Sequence, residues 1–225
     1  MGPSSFKLKT GSSIEGYIVL ECLGRNYEGE VYRVFDQYSG SERAFKIFFL
    51  PSGFRYVARY AEKLQRLRGM EGVVTYCHAG YWAERDCHYT VLELVEGKDL
   101  AKLSRNRPFP VFKALKVARQ LFRILACCQE ERKECLGDLG LSNIVLSRDG
   151  KVTVIDLDME ARFSRKNIRA DIVSVCDIFY RLNWNRGPYS RDLRRMIPKC
   201  RPTIEKRYRN ASQVLEAIEE LLGTK

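Results

Sequence analysis

The sequence has no run of about 18 apolar residues, so it offers no transmembrane helix. It begins Met1-Gly2-Pro3-Ser4-Ser5-Phe6, without a basic stretch leading into an apolar one, which excludes a secretory signal. Phe6 stands where N-myristoylation needs Ser or Thr. Residues 1–13 are polar and Gly/Ser-rich and are expected to form a flexible leader. No internal repeat or low-complexity linker follows. The eight cysteines (22, 77, 87, 127, 128, 135, 176 and 200) contain no C-x-x-C spacing, and Cys127 and Cys128 are neighbours inside a helical pattern. Such scatter argues against a disulfide framework and for buried thiols in a reducing compartment, so a cytoplasmic location is expected. Cys77-His78 and Cys87-His88 lie in strand-like segments and read as strand residues rather than zinc ligands.

What is present is a globular composition. Of 225 residues, 45% are hydrophobic and 30% charged, which excludes both the polar bias of disorder and a collagen repeat. The balance of 39 Lys+Arg against 28 Asp+Glu leaves a net charge of +11, an attraction for phosphates, nucleic acid or acidic lipid. Each basic stretch holds a single aromatic ring, Phe163 or Tyr208, rather than a series of stacking platforms, which argues against nucleic acid.

The first hundred residues are strand-rich. Segments beginning at Tyr17, Glu30, Arg43, Val73 and His88 are enriched in β-branched and aromatic residues and separated by turns. One helix is expected from about residue 55 to 68, because Tyr56, Tyr60, Leu64 and Leu67 form one apolar stripe. After Gly97 the pattern turns helical. Val111, Leu115, Ala118, Phe122 and Leu125 mark a helix over 111–131. Two short strands, 144–146 and 152–156, are joined at Asp149-Gly150, and helices are expected over 169–182, 190–197 and 211–222. The fold class is therefore α+β with two lobes, 14–96 and 97–225, in a single domain.

Several residues carry chemistry. Gly24-Arg-Asn-Tyr-Glu-Gly29-Glu-Val31 lies between two strands; a plain hairpin is one reading and a phosphate loop the other, glycine allowing close backbone approach to an anion. The middle glycine of a G-x-G-x-x-G pattern is Asn26, a residue that tolerates left-handed backbone. Lys46 sits in an apolar strand, where burial without a partner is costly. Gly137-Asp138-Leu-Gly-Leu-Ser-Asn143, followed by Val154-Ile-Asp156-Leu-Asp158, brings hard oxygen ligands suited to Mg²⁺ held against phosphates.

Together these motifs resemble the protein-kinase family from about Tyr17 to Leu222. Gly24, Gly29 and Val31 match its glycine-rich loop, and Ala44 and Lys46 its strand-lysine motif, which implies contact with the phosphates of ATP. Val91-Leu-Glu93-Leu-Val95-Glu-Gly97 resembles the hinge, so Glu93 and Val95 would offer backbone atoms to adenine, and Asp99 matches a ribose-contacting position. The resemblance gives Asp138 the role of catalytic aspartate, and Asn143 and Asp156 the role of metal ligands. Asp171 is similar to the buried aspartate opening a central helix, and Arg207 to an arginine near the domain end. The implied fold is a bilobal kinase fold, with a small β-rich N-lobe carrying one helix and a mostly helical, shortened C-lobe.

The chain also departs from the family. Counting back from Leu64 and Leu67, the helix glutamate that should pair with Lys46 is Tyr60. Glu62 points about 200° away, toward Arg59 and Arg66, unless a register shift brings it in. The usual His and Arg before Asp138 are Leu136 and Gly137, and the lysine after it is Gly140, whose absence should slow transfer. Asp158 adds a second carboxylate beside Asp156. Only 12 residues separate Asp158 from Asp171, so the activation segment and its Ala-Pro-Glu are missing, and an arginine at 137 would have no phosphorylated loop to clamp. In its place stands Arg162-Phe-Ser-Arg-Lys-Asn-Ile-Arg169, either a solvated basic face or a dock for a protein or small anionic acceptor. Arg194, Arg195, Lys199, Arg201, Lys206, Arg207 and Arg209 form a second basic stretch. The expected activity is ATP- and Mg²⁺-dependent transfer to a hydroxyl, with Ser/Thr of a protein as the nearest family precedent. The alternative is a pseudokinase acting as a nucleotide-binding or interaction scaffold.

Overall fold

A computed structural model describes residues 5–49, 54–183 and 208–222. The chain divides into two compact units, Met1–Gly69 with Val74–Val95, and Met70–Val73 with Glu96–Lys225.

The first unit is a six-stranded antiparallel sheet. Its strands are β1 (Ser13–Ile14), β2 (Tyr17–Arg25), β3 (Gly29–Asp36), β4 (Ser41–Phe48), β5 (Tyr76–Trp82) and β6 (Cys87–Glu93), in the order β1-β2-β3-β4-β6-β5. One face is built by alternation: Tyr17 and Val19, Tyr32 and Val34, Phe45 and Ile47, and Tyr89 and Val91 point into a single core with Phe6 and Trp82. Each such side chain contributes about 1.5–3 kcal/mol by leaving water. Helix α1 (Phe54–Arg66) meets the other face of β4, where Phe48 packs edge-on against Tyr56 and Tyr60. Strand β4 is thus covered on both sides, which is how Lys46 comes to be buried.

Two expectations change here. Residues 5–13, part of the expected leader, make defined contacts with the sheet. Glu30 is buried and needs donors, and the segment supplies them: the Ser5 hydroxyl at 2.6 Å and the Phe6 N–H at 3.1 Å. The Phe6 ring stacks on Phe49 with centroids 5.5 Å apart, and the Leu8 N–H reaches the Tyr32 hydroxyl at 3.2 Å. The strand expected from Val73 begins only at Tyr76. Val73 instead belongs to the second unit and bridges Val154 there, beside the left-handed turn at Gly72.

The second unit pairs three short antiparallel strands, β7 (Lys98–Asp99), β8 (Ile144–Leu146) and β9 (Val152–Val154), and carries four helices among the described residues. These are α2 (Leu100–Ser104), α3 (Val111–Cys127), α4 (Arg165–Leu182) and α5 (Ala211–Leu222). The stripe Leu115, Ala118, Phe122 and Leu125 of α3 is buried, and α3 packs against α4 and α5. Beyond Cys127 the helix widens into one π turn, Cys128–Arg132, ending at Lys133 in left-handed conformation. Helix α4 starts four residues before the expected 169, because the Ser164 hydroxyl caps it by accepting the Asn167 N–H. The helix expected over 190–197 lies outside the described residues. Among the described residues no helix is long and apolar enough to cross a membrane.

Candidate active site

In the first unit the hairpin between β2 and β3 is closed by Asn26–Gly29. The Asn26 Oδ1 accepts the N–H groups of Glu28 and Gly29 at 2.9 and 3.0 Å, and its own N–H donates to the Gly29 carbonyl. Position 29 admits only glycine, since a Cβ there would lie 1.9 Å from the Ile47 carbonyl oxygen. Gly24 has open space around it. Val31 faces Lys46 across β3 and β4, with Ala44 two residues along, so all three share the face of the sheet that meets α1.

Lys46 is 3% exposed. Its Nζ donates to Glu28 Oε2 at 3.0 Å and lies over the rings of Tyr60 and Phe48, 4.9 and 5.3 Å from their centroids. The Tyr56 hydroxyl donates to the other oxygen of Glu28 at 2.6 Å. Burial works to raise the Glu28 carboxyl, but the Lys46 charge and the Tyr56 hydroxyl outweigh it and hold it below its ordinary value. Glu62 pairs with Arg66 on the outer side of α1 at 2.7 Å, so no register shift brings it toward the lysine. Sequence reasoning missed Glu28 and Tyr56. The available signal was an acid inside the Gly24–Gly29 turn when the helix lacked one.

At the end of β6, the Glu93 N–H donates to the Thr75 carbonyl at 2.9 Å, and Val95 follows, half-buried. Asp99 caps α2, accepting the Lys102 N–H at 2.7 Å while pairing with the Lys102 ammonium at 3.0 Å. His78 is engaged by the Tyr17 hydroxyl at 2.7 Å, as suits a strand residue.

In the second unit the loop before β8 is held from beneath. Asp171, 1% exposed, accepts the N–H groups of Leu136 and Gly137, each at 2.9 Å. It lies within α4 rather than at its start. Gly137 and Asp138 are both left-handed, with φ of 64° and 42°, a backbone that suits glycine and that Asp tolerates better than most residues. This turns Asp138 toward Asn143, whose Nδ2 donates to the Asp138 carbonyl and to its carboxylate, both at 2.9 Å. Those bonds orient the Asn143 amide, leaving Oδ1 as the atom with hard-ligand character; the Ser142 hydroxyl reaches it at 3.3 Å. The Ile155 N–H donates to the Asn143 carbonyl at 2.9 Å, which brings Asp156 beside Asn143 at one end of the β8–β9 pair. Leu157 is buried.

The shortened segment after Asp156 folds back on this loop. The Asp158 N–H donates to the Leu136 carbonyl at 3.0 Å. A Cβ on Gly137 would stand 2.6 Å from Ala161 Cβ and 2.7 Å from Asp158 Cβ. A side chain as large as arginine at 137 is therefore excluded by space. Arg162, Arg165, Lys166 and Arg169 are exposed. Of the second basic stretch only Arg209 is among the described residues.

The donor set suits Mg²⁺. Among the described residues no three His, Cys, Asp or Glu side chains gather into a metal cage. Mg²⁺ against phosphates does not need one, taking one or two carboxylates and keeping several water or phosphate oxygens. Asp156 and the Asn143 amide oxygen are donors of that class.

No protein-family profile matches the chain, and no curated protein matches it in sequence. Solved structures do. The PknI kinase domain of Mycobacterium tuberculosis aligns with a TM-score of 0.73 at 16% identity, covering 95% of this chain and 99% of that one. A single-site mutant of that domain aligns at 0.76, again with 16% identity, over 97% and 100% of the two chains. The fold is that of a protein kinase. Rad53 residues 1–466, solved in complex with AMP-PNP, aligns with a TM-score of 0.72 at 17% identity over 90% of this chain and 61% of its own. The kinase-like α+β architecture thus holds with only 12 residues between Asp158 and Asp171.

Proposed function

We propose that this kinase-like chain binds ATP with Mg²⁺ and transfers the γ-phosphoryl group to a hydroxyl, Ser or Thr of a protein being the first acceptor class to test. The observation that carries the reading is the Asp138–Asn143 pair, fixed by two hydrogen bonds and seated on buried Asp171, with Asp156 adjacent. The AMP-PNP bound by Rad53 supports nucleotide binding in this fold. Asp138 orients the acceptor hydroxyl and takes its proton. Lys46 positions phosphate oxygens, with Val31, Ala44 and the backbone of Glu93 and Val95 on the adenine side, Gly24 and Gly29 in the loop, and Asp99 at the ribose. Asn143 and Asp156 would hold Mg²⁺, which supplies neutralisation of phosphate charge. Catalysis then rests on positioning and electrostatics, slower for want of a lysine at Gly140.

The acceptor is read from charge. Arg165 and Lys166 at the start of α4 favour an anionic protein segment or small molecule, and reversing both charges is expected to weaken acceptor use while sparing ATP binding. The seven described cysteines form no disulfide, which suits a reducing, cytoplasmic setting.

One observation favours the pseudokinase reading. The N–H groups of Glu28 and Gly29 are taken by the Asn26 side chain. Groups that would meet phosphate already have partners. Titration calorimetry with ATP, with and without Mg²⁺, separates the readings on wild type and Asp156→Ala. Mg²⁺-dependent binding lost in Asp156→Ala supports the enzyme. Metal-independent binding without phosphate transfer supports the scaffold, and no binding overturns both nucleotide readings.

A further inference from the structure

Lys46 is a buried cation on a strand whose neighbouring helix carries Tyr60 where the family resemblance leads one to expect a carboxylate. A ring face attracts an ammonium but does not neutralise it, and a buried charge requires a counter-charge. The β2–β3 turn provides one at 3.0 Å. We infer that Glu28 is the positioning residue for Lys46, supplying from the turn the carboxylate that the helix lacks at position 60, with Tyr56 and Tyr60 of α1 completing the holder. The inference rests on reading Lys46 as the phosphate-positioning lysine.

Three independent features fix Glu28 in this role. Both carboxylate oxygens are engaged, one by Lys46 and one by the Tyr56 hydroxyl. Its backbone is pinned from both sides: the carbonyl accepts the Phe49 N–H at 2.7 Å, and the N–H donates to Asn26. Its neighbour Gly29 lies flat on β4, where a Cβ would strike the Ile47 carbonyl, so the turn cannot lift without breaking that contact. Tyr56 ties α1 to the pair through a neutral hydrogen bond, and Glu28 supplies a counter-charge from the turn. The turn and the helix thus hold the lysine together, the turn supplying a carboxylate and the helix two rings.

The test compares wild type, Glu28→Gln and the double variant Glu28→Gln with Tyr60→Glu. Each is checked first for a cooperative melt, then read by the NMR signal of the Lys46 ammonium without nucleotide and by steady-state kinetics. The wild-type ammonium is expected to be protected from solvent exchange. Glu28→Gln should lose that signal and lower kcat at least tenfold, leaving KM for the acceptor unchanged. The double variant should regain both, because a carboxylate at 60 restores a counter-charge from the helix. A signal that survives Glu28→Gln, or tighter ATP binding by Glu28→Gln than by wild type, overturns the inference. If wild type transfers no phosphate yet Glu28→Gln loses the ammonium signal, Glu28 still holds Lys46 and the phosphotransfer reading alone falls.

Discussion

Gly137 leaves no room for a side chain against Asp158: a Cβ at 137 would lie 2.7 Å from the Asp158 Cβ, and the residue sits at φ +64°. Restoring the arginine suggested by the family resemblance should therefore damage the chain. Gly137→Ala is expected to cost about 1–3 kcal/mol from backbone strain alone, and Gly137→Arg at least as much. Thermal unfolding checks this, at about 2–4 °C per kcal/mol for a chain of this size. An unchanged melting temperature for Gly137→Arg would show that the segment after Asp156 does not pack as described.

Asp171 holds the same loop from below, and its two oxygens each accept a backbone N–H. Asn offers one acceptor oxygen and turns an amide donor toward the other N–H. Asp171→Asn is expected to lose about 1.5–3 kcal/mol, and to lower phosphate transfer further by releasing Asp138 and Asn143. Denaturant unfolding measures the first effect. Transfer assayed well below the melting temperature separates the second.

Much of this arrangement is legible from residue pattern. The stripe of α3 and the alternation of β2, β3, β4 and β6 follow from apolar periodicity, which burial enforces directly. Tyr60 is legible too, by counting back from Leu64 and Leu67. The partner of Lys46 is marked only by an acid inside the Gly24–Gly29 turn, because Glu28 and Lys46 are brought together across a sheet and no periodicity records such a pair. The docking of residues 5–8 is hidden for a similar reason. A polar segment looks flexible unless one knows that Glu30, an ordinary acid in the sequence, is buried and draws donors from it.

Asn26 occupies the N–H groups of Glu28 and Gly29 with its own side chain. Asn26→Gly should release them. Its expected effects are several-fold tighter binding of ATP with Mg²⁺ and a slightly lower melting temperature without ligand, the turn having lost two hydrogen bonds. Calorimetry and melting curves on the same samples check both directions.

The packing of the N-terminal segment predicts a pH dependence. Burial works to raise the Glu30 carboxyl, but the hydroxyls of Ser5 and Tyr32 and the Phe6 N–H hold it below its ordinary 4.5. A group depressed in the folded state stabilises fully above its unfolded value, and that contribution is lost as pH falls through the lower folded value. Glu28 acts with the same sign. Stability and protease resistance of residues 5–12 should therefore be constant from neutral pH down to about 5 and fall below about 4. Glu30→Gln should weaken the segment at neutral pH and flatten the acid dependence.

The most direct test of the central claim is transfer of labelled γ-phosphate from ATP with Mg²⁺ to protein or small hydroxyl acceptors by wild type, Asp138→Ala and Asp156→Ala. Wild type is predicted to transfer label, and each variant to lose about a hundredfold or more while remaining folded. Transfer by the variants at the wild-type rate, or none by a wild-type chain that binds ATP, would contradict the account.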